Sequence, residues 1–211
     1  MWVFESAHRY ELLKALVEHV ELCASTLAMA SMIALPLGYA LSRSQRLAEW
    51  VLGILSLLYA IPSMALMALL VPVFGLGVPS ALMVLVAYAQ FLLLRNVILA
   101  FQSIEPTLVE VGQGLGFSAW QRFTQVELPL ALPTLIGGFR VATTATIAIA
   151  SLAAWINAGG LGNVLFEGIY QHHIPKLISG SLLLVGLGLT MDMALADLQK
   201  LALRESQGAM G

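Results

Sequence analysis

The sequence predicts an all-α polytopic membrane protein, and three observations carry that prediction. Of its 211 residues, 59% are hydrophobic and only 10% charged, whereas a soluble domain of this size keeps about a quarter of its residues charged. Apolar windows of about 20 residues, enough to cross ~30 Å of hydrocarbon, recur along the chain. Between them stands one stretch, 105–133, too polar to sit in lipid. The net charge of −2 decides little, because the placement of charges matters more than their sum. The single Cys23 excludes an intrachain disulfide and most thiolate metal sites, and reads as a small packing residue.

Taken in order, residues 1–20 do not read as a cleaved leader. Glu5, Arg9, Glu11, Lys14 and Glu18 interrupt any apolar core there. Tyr10, Leu13, Val17 and Val20 fall at helical spacing and predict an amphipathic helix at the membrane surface. A single membrane domain follows over 21–198, with spans at about 22–41, 50–74, 80–94, 137–156 and 177–195, then a tail at 199–211. Pro62 predicts a kink in the second span, and Gly75 to Pro79 a tight turn. Arg95 and Asn96 are expected to close the third span. Leu128-Pro129 and Leu132-Pro133 are expected to break the backbone before the fourth, and 158–176 to form a loop.

Five spans place the chain's ends on opposite sides, and arginine and lysine decide which. Arg43, Arg46, Arg95, Arg122, Lys200 and Arg204 lie on one side, against Arg9, Lys14 and Lys176 on the other. Six against three predicts the N-terminus outside, the C-terminus inside and the polar stretch in the cytoplasm. Arg140 falls in the fourth span, where a charge in lipid costs a few kcal/mol. It either snorkels from the interface or pairs inside, with Asp192 at the same level as the candidate partner.

No catalytic constellation stands out. Gly112, Gly114 and Gly116 do not form G-x-G-x-x-G, and Lys14, Lys176 and Lys200 follow leucine, proline and glutamine rather than the glycine of a phosphate loop. His172 and His173 are adjacent and point apart on any regular element, so no metal site is expected.

The stretch at 105–133 is different in kind. Pro106 suits the first turn of a helix whose N-terminus favours Glu105. Thr107 to Leu115 can make two turns, and Gly116 can end them in a left-handed cap. Trp120, Phe123 and Val126 then share one face of a second short helix. A helix–glycine–helix knob therefore projects from the membrane.

Glu110, six residues before Gly116, and, after nine intervening residues, the run Val126-Glu127-Leu128-Pro129, resemble the cytoplasmic EAA signature of ABC importer permeases. Val111 and Gly112 replace the two alanines of that pattern. Glu18-His19-Val20, Pro36-Leu37-Gly38, Ile61-Pro62-Ser63, Arg95-Asn96, Leu152-Ala153-Ala154 and Ala158-Gly159-Gly160-Leu161-Gly162 extend the resemblance over nearly the whole chain. They resemble the osmoprotectant branch, whose permeases carry glycine betaine, choline and carnitine. Asn157 stands where those permeases usually have glycine.

The resemblance implies a type I, methionine-importer-permease-like core with no cofactor of its own, in the cytoplasmic (inner) membrane of a bacterium or archaeon. Two permease subunits, identical or related, would pair around a path. Two cytoplasmic ATPase subunits would bind ATP and magnesium, and an external binding protein would deliver the solute. Glu110, Gly112, Gly116, Val126, Leu128 and Pro129 would form the ATPase-coupling loop, with Glu110 either facing the ATPase or bracing the loop. Tyr59, Met64 and Met67 near Pro62, and Thr143, Thr146 and Ser151 in the fourth span, are the candidates for the path. Close helix packing accounts equally well for the small residues among them. A methionine, other amino-acid or small-solute cargo on the same fold stands as the alternative. A transporter or channel independent of ATP stands as the alternative of another class.

Overall fold

In the computed structural model, which describes residues 6–208, nine α-helices follow one another with no strand among the described residues. Residues 1–5 of the expected N-terminal segment and 209–211 of the expected tail lie outside the described residues. Among the described residues four helices are long and apolar enough to cross a membrane, or five if the bent pair at 45–74 counts as one span. An all-α polytopic membrane fold is what the composition required.

The first helix, α1 (Ser6–Ser42), has 37 residues and is about 55 Å long at 1.5 Å per residue. The described part of the segment expected to lie on the membrane surface is continuous with the first span in one helix. Neither glycine nor proline interrupts the chain between Arg9 and Leu35, so nothing ends the helix there. Two of its polar residues bond to distant parts of the chain. His19, fully buried, has its Nε2 3.1 Å from the Ile147 carbonyl, and a Glu18 carboxylate oxygen accepts from the Gly160 N–H at 3.0 Å.

Helices α2 (Gln45–Tyr59) and α3 (Ser63–Phe74) meet at 89°, so Pro62 marks a full break rather than a kink. The Tyr88 hydroxyl donates to the Ile61 carbonyl freed at that break. Helix α4 (Val78–Gln102) runs two turns beyond Arg95 and Asn96, which do not end it. Asn96 stays helical and donates from Nδ2 to the Leu92 carbonyl at 2.7 Å.

After α5 (Pro106–Gly114) and α6 (Ala119–Arg122), a π-helical turn (Phe123–Glu127) runs straight into α7 (Leu128–Ala150). The expected backbone breaks at Pro129 and Pro133 are absent. Pro129 falls in the first turn of α7, where a missing N–H costs little, and helix continues through Pro133. A 3₁₀ turn (Ser151–Ile156) extends α7. The expected loop 158–176 contains a helix, α8 (Leu161–Tyr170), with Leu161, Val164 and Gly168 buried on one face. The last helix, α9 (Ile174–Gly208), absorbs both the fifth span and the described part of the tail.

Helix α4 is the central post, packed against α1, α2, α3 and α7, while α9 packs on α7 and α8. Two apolar clusters line the post. One joins Met67, Leu85, Tyr88, Ile147 and Ile156, and the other joins Leu27, Ala34, Leu94, Ile98 and Ala142. A third ties Leu12 and Ala15 of α1 to Leu161 and Val164 of α8. Close approach of α1 to α4 needs Gly38, where a Cβ would lie 2.5 Å from Val97 Cγ1. This frame leaves α5 and α6 projecting from one end of the bundle.

Candidate functional site

The projecting stretch is a capped, rigid turn. Pro106 opens α5, with Glu105 as its N-cap residue. At the other end the Gly116 N–H donates to the Gln113 carbonyl at 2.9 Å, and the Phe117 N–H to the Gly112 carbonyl at 3.1 Å. These two bonds, with φ of +80° at Gly116, make a Schellman cap, which a residue with a side chain enters only at a cost. Ser118 begins α6 with a capping box, its Oγ accepting from the Gln121 N–H while Gln121 Oε1 accepts from the Ser118 N–H. Both ends of the turn are therefore held by local bonds.

The motif residues divide by role. Gly112 is buried under the turn, and a Cβ there would meet Phe117 and Val126 at 3.6 Å each. Val126 is half-buried against this glycine, and Leu128 and Pro129, also half-buried, open α7. Glu110 is exposed and makes no hydrogen bond or ion pair among the described residues. It does not brace the loop. Beside it Val111 and Leu115 are exposed by 59% and 69%, so α5 offers an apolar patch with one carboxylate on the outer face of the knob.

The bracing carboxylate is Glu127, which lies in the Val126–Pro129 run but is not among the expected coupling residues. Only 2% exposed, it accepts from Tyr39 Oη at 2.8 Å, Arg43 Nη2 at 2.6 Å and Arg122 Nε at 3.3 Å. Hydrogen bonding to Glu127 raises the Arg43 pKa above its ordinary value. Phe123 packs edge-on to Tyr39 at 4.8 Å and lies 6.2 Å from Phe101. The second short helix expected around Trp120, Phe123 and Val126 is thus one turn of α6 followed by the π turn. A readable signal was present: an acid between apolar neighbours at 126 and 128, with arginines free to reach it.

The expected path residues fall on α2, α3, α7 and the 3₁₀ turn that follows it. Thr143, on α7, lines a cavity of about 550 Å³ with Cys23, Leu27, Ile147, Leu187 and Met191. Its Oγ1 donates to the Phe139 carbonyl at 2.8 Å. Thr146 is buried on the same helix, and Ser151 donates to the Ala148 carbonyl at 2.7 Å. Met67 is fully buried in the core. Tyr59 lies 5.2 Å from the Tyr88 ring and 5.0 Å from that of Phe91, and Met64 is half-buried beside the α2–α3 break. His173 Nδ1 accepts from the Lys176 N–H at 3.1 Å, at the start of α9. No group of three His, Cys, Asp or Glu side chains able to hold a metal ion occurs among the described residues.

Asn157 adopts φ 66° and ψ 33°, the left-handed region. Glycine is favoured there, and asparagine is among the few other residues that tolerate it. That explains the one departure at this corner from the glycine expected there.

Comparison with known proteins places this geometry. The family model of the binding-protein-dependent transport system inner membrane component matches residues 30–200. The osmoprotectant import permease protein OsmW of Salmonella typhimurium is 40% identical over 187 residues, covering 86% of this chain and 87% of that protein. The carnitine transport permease protein OpuCB of Listeria monocytogenes is 31% identical over 93% of this chain and 90% of its own length. The choline transport system permease protein OpuBB of Bacillus subtilis is 32% identical over 88% and 86%. An inward-facing structure of the MetNI methionine ABC transporter superposes with a TM-score of 0.86 at 20% identity, over 94% of this chain and 99% of that one, a likeness of fold. With its membrane bundle, its projecting capped turn and a family match over most of its length, the chain belongs to the inner-membrane components of binding-protein-dependent transport systems.

Proposed function

We propose that this chain is the translocation subunit of an ATP-driven importer for a small zwitterionic or cationic osmoprotectant of the glycine betaine, choline or carnitine class. The observation that carries it is the outer face of α5. Glu110, Val111 and Leu115 stand free on a turn fixed at both ends, as a lever needs to be. The relatives named for osmoprotectant, carnitine and choline transport support the cargo.

In this reading the knob lies in the cytoplasm and seats in a groove of an ATPase subunit, which alone binds ATP and magnesium and performs hydrolysis. Two permease subunits, each with its ATPase, form the path, and an external binding protein delivers the solute. The N-terminus faces outward and the C-terminus inward, as the arginine and lysine distribution favours. Selection of a quaternary ammonium group takes an aromatic cage, which falls to the binding protein. Tyr59 and Met64, at the α2–α3 break, and Thr143, facing the cavity, are the residues of this chain offered to the path, with Met67, Thr146 and Ser151 packing behind them.

The test is ATP-driven uptake in vesicles holding the chain with its ATPase and binding protein. Stimulation of hydrolysis by betaine, choline or carnitine is expected. Stimulation by methionine alone would overturn the cargo, and uptake without any ATPase subunit would overturn the class.

A further inference from the structure

Backbone continuity joins α5 to only two of the long helices, α4 behind it and α7 ahead of it. Helix α1 is reached in another way. Its last turn carries Tyr39, and Arg43 follows one residue beyond its end. Both side chains converge on one oxygen of Glu127, at 2.8 and 2.6 Å, while Arg122 holds the other at 3.3 Å. Arg43 also donates to Tyr39 Oη at 2.5 Å, and its guanidinium carbon lies 4.7 Å from the Tyr39 ring centre. Tyr39 Oη, Arg43 Nη2 and Arg122 Nε are thus all directed at the buried carboxylate.

Glu127 is also the last residue of the π turn. Such turns are rare and are frequent at functional sites. Here the turn aims Glu127 inward beneath the knob. The far end of α1 carries Glu18, bonded to the Gly160 N–H, and His19, against the Ile147 carbonyl. One continuous helix, with Pro36 inside it, thus links the root of the knob to the loop that carries Gly160.

We infer that Glu127 is a positioning residue for coupling: it locks α1 to the root of the α5–α6 turn, so that displacement of the knob moves α1 as well as α4 and α7. The inference rests on reading the 105–129 turn as the ATPase contact, and it adds the route by which motion leaves that turn. The bond strength is adequate for such a role. Removing the partner of a buried, hydrogen-bonded charge is costly, whereas an exposed pair contributes little, and Glu127 is of the first kind.

The experiment compares wild type with Glu127→Gln, Arg43→Gln, Tyr39→Phe and the double variant Arg43→Gln/Glu127→Gln, each assembled with its ATPase and binding protein in vesicles. Solute moved per ATP hydrolysed is measured together with co-purification of the ATPase. Glu127→Gln is expected to lower solute per ATP by about tenfold, within the range of coupling between two sites, with the ATPase still bound. The double variant is expected to be no worse than Glu127→Gln alone, because partners in one network are not additive. An unchanged ratio in Glu127→Gln, or losses that multiply in the double variant, overturns the inference. If Glu127→Gln fails to assemble, Arg43→Gln and Tyr39→Phe decide, since Arg43 is half exposed: a normal ratio in both overturns it, and a lowered ratio in either supports it. Failure of wild type itself to show ATP-driven uptake would refute the reading of the turn, and is seen before any variant is compared.

Discussion

Arg140 on α7 and Asp192 on α9 form a two-pronged pair: Arg140 Nε donates to Asp192 Oδ1 at 3.0 Å, and Nη2 to Oδ1 and Oδ2 at 2.9 and 3.0 Å. Of the two accounts the sequence left for Arg140, snorkelling or pairing, the pair is what forms. Gln199 extends it, accepting from Arg140 Nη1 at 2.8 Å and donating from Nε2 to the Pro133 carbonyl at 3.0 Å. A side chain from the expected tail therefore fastens α9 to the proline-bearing start of α7.

Asp192→Ala leaves the guanidinium without its carboxylate among apolar helices. Breaking a fully buried pair costs about 3–5 kcal/mol. Here the side chains are 27% and 40% exposed, and screening reduces the loss to about 1–2 kcal/mol. Thermal unfolding in detergent is expected to show it, and Arg140→Leu/Asp192→Leu to recover most of it. A double variant as unstable as the single one would count against the pair.

Gly116→Val places a β-branched residue at φ +80°. No atom lies within 4 Å of the added Cβ, so the penalty is one of backbone alone, at least about 1–2 kcal/mol. The expected outcome is loss of ATPase co-purification or of transport, with the membrane bundle still folded. Gly116→Asn, which tolerates this region, is expected to retain both. Equal behaviour of the two variants would show that the cap does not matter.

Gly112→Ala is expected to be tolerated and to stabilise the turn. The added methyl meets Phe117, Val126 and Arg122 at 3.6–3.7 Å, ordinary contact distance. Alanine favours helix over glycine by up to about 1 kcal/mol. A higher unfolding temperature at unchanged uptake is the predicted reading, and a drop in stability would mean that α5 packs differently.

Asn157→Gly is expected to match or exceed wild type in stability, while Asn157→Val loses about 1–2 kcal/mol from the left-handed backbone. Unfolding curves of the two variants measure the difference directly. Loss in both would point instead to a role for the amide side chain.

Much of this was legible in the sequence, and the failures share a cause. Hydropathy located the long helices and the polar stretch, and Pro106 and Gly116 located both ends of α5, because each signal is local. The ends of α1, α4 and α9 differ from expectation because charged and polar residues read as stops. Glu18, Asn96 and Gln199 all stay helical by bonding to parts of the chain that composition does not reveal or to the preceding turn. Helix α8 was missed because its opening glycines read as loop, although its buried face keeps helical spacing. The stretch splits likewise: Glu110 stands out by its spacing from Gly116, while the contacts of Glu127 come from Tyr39 and Arg43, more than eighty residues away in sequence, and no spacing rule reaches that far.

The break at Pro62 bears on how the protein is made. At 1.5 Å per residue, α2 and α3 are about 22 and 18 Å long, and each is shorter than the ~30 Å of hydrocarbon. Neither can be inserted alone as a finished span, and the carbonyl freed at Ile61 waits for a hydroxyl that belongs to Tyr88. That tyrosine lies on α4, which leaves the ribosome later. The bend between α2 and α3 is therefore completed by a residue of another helix, so its native shape depends on the docking of α4.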